Sequence, residues 1–203
     1  MKGVNHLNRP LKIIIAEDDF LVLMGLRSNI EKLGHHVVAE ASNGQKAIEL
    51  VMELQPDLII MDINMPIIDG IEAIKIINKK LFIPSIIVSA YHDDTLIKRA
   101  TEEGVLYYLL KPVDITELSI AIKISLSRFE EIKLLQNDLK DTKKALEARK
   151  YIEKAKGILM DRKKLKEKEA MKHLQEISRN NNKKLVEVSK ELINADTLFY
   201  PKE

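Results

Sequence analysis

The first half of the chain alternates two kinds of segment. Leu11–Ala16 (LKIIIA), His36–Glu40 (HVVAE), Asp57–Met61 (DLIIM), Pro84–Ser89 (PSIIVS) and Val105–Leu110 (VLYYLL) are short, apolar and rich in β-branched residues or tyrosine. Continuous apolar runs of this length predict strands buried on both faces. Between them lie segments of helical length, at about 20–33, 43–54, 69–80 and 93–103. Asn43 and Asp93 stand where N-caps are expected, and Gly34 and Gly104 where a left-handed residue ends a helix. A fifth helix begins after Pro112, near Asp114. Five strand–helix units predict an α/β fold: a doubly wound, five-stranded parallel sheet covered on both faces.

After Pro112 the pattern changes. From Val113 to Lys156 there is neither proline nor glycine, which permits one helix of about 40 residues, ~60 Å long. Leu118, Ser125, Ile132, Leu139 and Leu146 recur every seventh residue. Ile122, Phe129, Gln136 and Lys143 fill the second seam position of the same heptads, so a coiled coil with one apolar and one half-polar stripe is expected. The pattern also fits a long solvated helix packed within the chain. The end of the chain is helical throughout. Ala145–Met160 continues the long helix, and Leu165–Ser178 and Lys183–Ile193 carry further apolar residues at helical spacing. Helices this short bury a stripe only against one another, which predicts a small three-helix bundle.

Composition narrows the class. The 203 residues include 45% hydrophobic and 32% charged residues, 7 Gly and 6 Pro, which excludes a collagenous or wholly disordered chain. No apolar run approaches the ~20 residues of a membrane span. The first ten residues hold no apolar leader segment, so a cytoplasmic protein is expected. The absence of cysteine excludes disulfides and thiol catalysis. The five histidines lack metal-ligand spacing. Residues 1–128 hold 14 Lys+Arg against 17 Asp+Glu, whereas residues 149–190 hold 14 against 6. An acidic first half and a basic second half suggest two domains, the second either meeting an anionic partner or presenting a solvated lysine-rich face.

The chemistry gathers at strand ends. LKIIIA runs into Glu17-Asp18-Asp19, and DLIIM into Asp62, Ile63 and Asn64. The fourth strand ends at Ser89 and the fifth leads to Lys111-Pro112. In an open parallel sheet these ends converge where ligands bind. Carboxylates so close together repel one another unless a cation balances them, and Mg²⁺, a hard ion with oxygen ligands, suits them. With Asp62 as a nucleophile toward phosphorus, Lys111 as a charge partner and Ser89 as a hydroxyl donor, the set is suited to phosphoryl transfer. There is no glycine-rich phosphate loop and no nucleophile triad, so no enzyme is expected beyond autophosphorylation and slow dephosphorylation.

IIIAEDD, PDLIIMDINMPIIDGIEAI, IIVSA and YYLLKP resemble the phosphoacceptor receiver domain of two-component response regulators over residues 10–128. The resemblance implies a flavodoxin-like sheet in order 2-1-3-4-5 and a sensor histidine kinase as partner. It makes Asp62 the phosphorylated aspartate and Glu17 and Asp18 metal-binding acids. Asn64 would offer Mg²⁺ its backbone carbonyl, Ser89 and Lys111 would bind the phosphoryl group, and Tyr108 would match the family's switch aromatic. Glu17 stands where many members carry aspartate.

YIEKAKGILM at 151–160, followed by Asp161-Arg162, Glu169-Ala170, Leu174, Ser178, Asn182 and Val188, resembles the ANTAR domain over residues 142–196. That family is a three-helix RNA-binding output of transcription antiterminators, and the resemblance implies hairpin RNA in nascent transcripts as the ligand. The layout is similar to response regulators of the ethanolamine-utilisation type, with residues 115–148 as linker helix and coiled coil. Lys154, Lys156, Arg162, Lys163, Lys164, Arg179, Asn182 and Lys183 are candidate RNA contacts. Polar residues in one seam imply a weak dimer at rest, strengthened on phosphorylation. Two other outputs compete: a DNA-binding helix-turn-helix whose turn falls at 179–182, and a protein-interaction module docking on an acidic partner.

Overall fold

The computed structural model of the chain describes residues 9–200. The opening segment, on which the expectation of no leader rests, lies outside the described residues as far as residue 8. The described residues form two compact units that meet within one helix, between Lys133 and Leu134.

The first unit is built from β1 (Lys12–Ala16), α1 (Phe20–Lys32), β2 (His36–Ala41), α2 (Gly44–Leu54), β3 (Leu58–Asp62), α3 (Gly70–Lys80), β4 (Ser85–Ser89), α4 (Asp94–Glu102), β5 (Tyr107–Leu110) and the start of α5 (Ile115–Lys163). The five strands pair in the order β2-β1-β3-β4-β5, every pair parallel. Alternate side chains of the central strands enter opposite layers, as the pleat requires. Ile14, Ile59, Met61 and Ile87 meet α2 and α3 through Val51, Ile71, Ile74 and Ile77. Ile13, Ile15, Ile60, Ile86 and Val88 meet α1 and α5 through Leu26, Ile30, Leu118, Ala121 and Ile122. All residues of β3 and β4 are buried, whereas the edge strand β2 alternates.

The helix starts follow from short acceptor side chains. Asp19, Asn43, Asp69 and Asp93 are N-caps whose side chains accept backbone N–H groups of the first turn. Asp114 accepts from Thr116 N at 2.6 Å and Glu117 N at 2.8 Å. Gly34 and Gly104 close α1 and α4 at φ +82° and +88°, as expected of them. Gly70 has a different reason: a Cβ there would overlap the carbonyl oxygen of Asp62, so only glycine lets α3 start directly beneath that loop.

The second unit comprises the rest of α5, α6 (Glu167–Asn180) and α7 (Leu185–Phe199). Ala155 and Leu159 of α5, Ala170 and Leu174 of α6, and Val188 and Ile193 of α7 form its core. Asn182, at φ +50°, turns the chain between α6 and α7. The stretch 179–182 does not cap α7, whose N-cap is Lys184. Instead Lys184 N donates to Glu187 Oε2 at 3.2 Å, one half of a capping box. The final helix also runs on past Ala195, to Phe199.

The heptad stripe divides between two settings. Leu118 and Ser125 are fully buried and Ile122 nearly so, because this stretch of α5 covers the sheet. Phe129 stacks on Phe82 with ring centroids 5.2 Å apart. A helix face on a sheet and a coiled-coil seam use the same spacing of three to four residues, so the heptads run unbroken through two different environments. Beyond residue 133 the stripe is open: Leu135, Leu139 and Leu146 are each more than half exposed. Gln136 fills the second seam position here. Leu135, one residue earlier, is the apolar neighbour one turn before Leu139.

Leu118→Ala should therefore destabilise the first unit by about 2–5 kcal/mol. Leu139→Ala, in the same heptad position, should leave that unit's unfolding unmoved. Urea denaturation followed by circular dichroism separates the two. Equal losses would mean that one uninterrupted seam spans the helix.

Candidate functional site

Strand register brings the acidic and basic side chains to one rim of the sheet. Ala16 pairs with Met61, which sets Glu17 level with Asp62, and Ser89 pairs with Leu110, which sets it beside Lys111. Lys111 N donates to the Ser89 carbonyl at 2.8 Å and ties the ends of β4 and β5 together. The Lys111–Pro112 peptide is cis.

The Lys111 ammonium lies between two buried carboxylates. Its Nζ is 3.1 Å from Asp62 Oδ1 and donates to Glu17 Oε1 at 2.9 Å. Glu17 Oε2 lies 2.8 Å from the same nitrogen but makes no hydrogen bond, so this buried oxygen has a charge partner only. Burial pushes the Glu17 carboxyl above its usual range, against the hydrogen bond from Lys111. Burial alone would lower Lys111, but Glu17 and Asp62 outweigh it and hold the ammonium above its ordinary value.

Glu17, Asp18 and Asp62 offer carboxylate oxygens all within 4.8 Å of one another, with Asp18 exposed. Three hard acceptors, one of them buried without a hydrogen bond, fit an oxygen-ligated divalent ion such as Mg²⁺. Asp19 stands apart: its Oδ1 caps α1 through Leu21 N at 2.8 Å and Val22 N at 3.1 Å. Asn64 lies two residues past Asp62, exposed in the loop before α3. Ser89 is buried, and its Oγ accepts from Tyr91 N at 3.2 Å. Tyr108 is half-buried and its hydroxyl donates to the Tyr91 carbonyl at 2.8 Å, so β5 touches the loop that follows Ser89.

A family model described as the response regulator receiver domain matches residues 13–123, and one described as the ANTAR domain matches residues 140–193. The chain belongs to the response regulators. Over nearly its whole length this response regulator is similar to the transcriptional regulatory protein PdtaR of Mycobacterium tuberculosis H37Rv, 36% identical over 194 residues covering 96% of this chain and 94% of that protein. The transcriptional regulatory protein YdfI of Bacillus subtilis is 42% identical over 101 residues, 49% of this chain and 47% of its own length. A crystal structure of a LuxR-family two-component response regulator from Aurantimonas sp. SI85-9A1 covers 58% of this chain and 86% of that one, with 32% identity and a TM-score of 0.55. The protein is thus a phosphorylation-regulated response regulator with a receiver domain of flavodoxin-like fold and an ANTAR output, not a helix-turn-helix one. Among its described residues no helix is long and apolar enough to cross a membrane.

The candidate RNA contacts scatter. Lys156 is only 8% exposed and is held by Glu153 at 2.9 Å and Glu167 at 2.8 Å, whose carboxylates keep its ammonium above the ordinary lysine range. Its place inside the second unit's packing makes it a tie between α5 and the start of α6. Arg162 pairs with Asp196 at 3.0 Å, Lys183 with Glu191 at 2.6 Å, and Lys163 Nζ lies 2.9 Å from His173 Nε2. Lys154 and Arg162 share a groove between α5 and α7, whereas Arg179 lies in the last turn of α6 and Asn182 and Lys183 in the turn before α7. The rise along α7 from Leu185 to Asp196 separates these groups by roughly 16 Å.

Glu17→Gln should stabilise the metal-free chain, because it removes one of three mutually repelling carboxylates and keeps an acceptor for Lys111. The same change should remove most of the added stability that Mg²⁺ gives the wild type. Thermal unfolding with and without Mg²⁺ checks both halves. A less stable variant with its Mg²⁺ response intact would remove Glu17 from the ion site.

Proposed function

We propose that this response regulator is an RNA-binding antiterminator switched by phosphorylation of Asp62 in the receiver unit. The observation that carries the reading is the placement of Asp62 at the end of β3, buried, 3.1 Å from Lys111 and among the carboxylates of Glu17 and Asp18. Receiver boundaries of 10–128, a linker helix over 115–148 and an ANTAR domain over 142–196 fit the two units and the long helix that joins them.

A sensor histidine kinase supplies the phosphoryl group. A carboxylate oxygen of Asp62 attacks phosphorus, a new P–O bond forms, and the P–N bond to the kinase histidine breaks with its electron pair left on the imidazole. Lys111 turns from Asp62 toward the phosphoryl oxygens and offsets their charge, while Glu17 holds it in position. Glu17, Asp18, Asp62 and the backbone carbonyl of Asn64 would hold Mg²⁺, which neutralises phosphoryl charge when bound. The Ser89 hydroxyl, now an acceptor from Tyr91 N, donates to the attached group. Drawing Ser89 inward pulls on the loop that Tyr108 grips through the Tyr91 carbonyl, and this changes the outer surface near β5.

The output follows from population shift. Phosphorylation can move a monomer–dimer equilibrium only by its different interaction energy with the two states. About 1.4 kcal/mol moves the dimer constant tenfold. The exposed leucines of α5 supply the weak seam. A dimer presents two ANTAR units together, which suits paired RNA hairpins through raised effective concentration. Blocking an overlapping terminator is the regulatory consequence. Phosphate contacts make the affinity fall steeply with salt.

Asp62→Asn should abolish acyl-phosphate formation from a small phosphodonor with Mg²⁺ while leaving the fold intact, as judged by phosphoprotein mass and circular dichroism. Phosphorylation of the variant at the wild-type rate would mean the acceptor lies elsewhere. Leu139→Asp with Leu146→Asp places charges on an exposed stripe. It should lower phosphorylation-dependent dimerisation about tenfold or more in sedimentation experiments. An unchanged dimer constant would exclude this stretch as the seam.

A further inference from the structure

The face that α3 turns toward α4 is charged. Asp69, Glu72, Lys75 and Asn78 recur at every third residue, which places them along one side of α3. Arg99 of α4 donates through Nη2 to Asp69 Oδ2 at 3.0 Å and Oδ1 at 3.2 Å, and the same nitrogen lies 3.8 Å from Glu72 Oε2. Lys75 Nζ lies 3.5 Å from Glu72 Oε2 and 3.2 Å from Glu103 Oε1, and Asn78 Nδ2 donates to the Glu103 carbonyl at 2.9 Å. Negative and positive charges thus alternate from the start of α3 to the end of α4. The apolar attachment of α4 is slight by comparison. It buries Ala100, whereas α3 buries Gly70, Ile71, Ala73, Ile74 and Ile77.

Asp69 connects this run of charges to the acidic rim. Its Oδ1 also accepts from Glu72 N at 2.8 Å, as the cap of α3. The next residue, Gly70, donates its N–H to the Ile63 carbonyl at 2.9 Å, and a Cβ on it would stand 2.0 Å from the Asp62 carbonyl oxygen. There is no slack between Asp69 and the turn that follows Asp62. The start of α4 is connected differently. It is entered from the loop between Ser89 and its cap Asp93, where Tyr91 N donates to Ser89 Oγ and the Tyr91 carbonyl accepts from the Tyr108 hydroxyl. The helix is therefore tied to the rim twice, at its start through the Ser89 loop and in its second half through Arg99.

We infer that Arg99 is a positioning residue for the phosphorylation of Asp62: its bond to Asp69 holds α4 in the resting arrangement and restrains the switch. The inference rests on the reading of Asp62 as the acceptor. Drawing the Ser89 hydroxyl toward a phosphoryl group pulls on the start of α4, while Asp69 stays fixed against the Asp62 turn. The Arg99–Asp69 pair is then stretched. A contact made in the resting state and strained in the phosphorylated one adds to the free energy of switching. The two side chains are 41% and 38% exposed, so the restraint is modest and salt weakens it.

Two substitutions remove the pair and spare the apolar packing. Asp69→Asn keeps an oxygen to cap α3 and loses the charge. Arg99→Gln neutralises the other partner. With the full chain, Mg²⁺ and phosphoramidate as donor, each variant should form acyl phosphate about two- to fivefold faster than wild type, the effect of one partly exposed ion pair. The double variant should be no faster than either single one, because one shared contact accounts for both gains. Arg99→Lys should return the rate toward wild type. The ratio of variant to wild-type rates should fall toward one as potassium chloride is raised. A purely structural tie would instead lower the thermal midpoint of the variants without speeding the reaction. Equal or slower rates in both variants, or additive gains in the double variant, would overturn the inference and leave the Asp62 reading standing. A wild type that gains no phosphoryl group would sink the Asp62 reading and this inference together.

Discussion

One ammonium between two buried carboxylates organises the receiver unit. Lys111 lies within ion-pair distance of both Glu17 and Asp62, with Asp18 close by, so the rim carries more negative charge than its own lysine balances. Isolated buried charge is costly, and a cluster of this kind persists only where the backbone holds it. Here the backbone does so through strand register, through the Lys111–Ser89 main-chain bond and through Gly70, which lets α3 start against the Asp62 carbonyl. Surplus negative charge of this kind suits a divalent cation, and an ammonium so close suits a phosphoryl group. Both properties come from one unbalanced charge distribution at the end of a rigid sheet.

Much of the receiver unit was legible because its signals are local. The buried strands announce themselves as β-branched runs, the helix starts as Asn or Asp, and the left-handed closures as Gly34 and Gly104. The site was legible for a related reason. In a parallel sheet the chemistry lies just past strand ends, so finding the ends of four runs finds Glu17, Asp62, Ser89 and Lys111 together. Asp19 shows the limit: in sequence it is one more acid of the Glu17-Asp18-Asp19 run, and only the three-dimensional arrangement reveals it as the α1 cap.

The helical half was less legible, because heptad spacing does not say what a stripe faces. Leu118 and Leu139 occupy the same heptad position; one is sealed against the sheet and the other is more than half exposed. Lys156 illustrates the same gap for charge. A lysine in a basic run reads as a surface cation, yet Glu153, one turn back, and Glu167, eleven residues on, enclose it. The signal for Glu153 was present at the i, i+3 spacing. Nothing in the sequence announced Glu167, because that contact depends on how α6 folds back. The cations against Tyr151 and Tyr200, Lys190 and Arg162, were hidden for the same reason, since both contacts run between α5 and the α7 end of the chain.

The central claim joins the two units: phosphorylation of Asp62 governs RNA affinity in the ANTAR unit. The most direct measurement titrates an RNA carrying two adjacent hairpins with the full chain, at one fixed salt concentration, before and after treatment with a phosphodonor and Mg²⁺. If phosphorylation gates the output through dimerisation, the treated chain binds about tenfold tighter or more, and an RNA with a single hairpin gains much less. Equal affinities for the two-hairpin RNA before and after treatment, with acyl phosphate present on the protein, would contradict it.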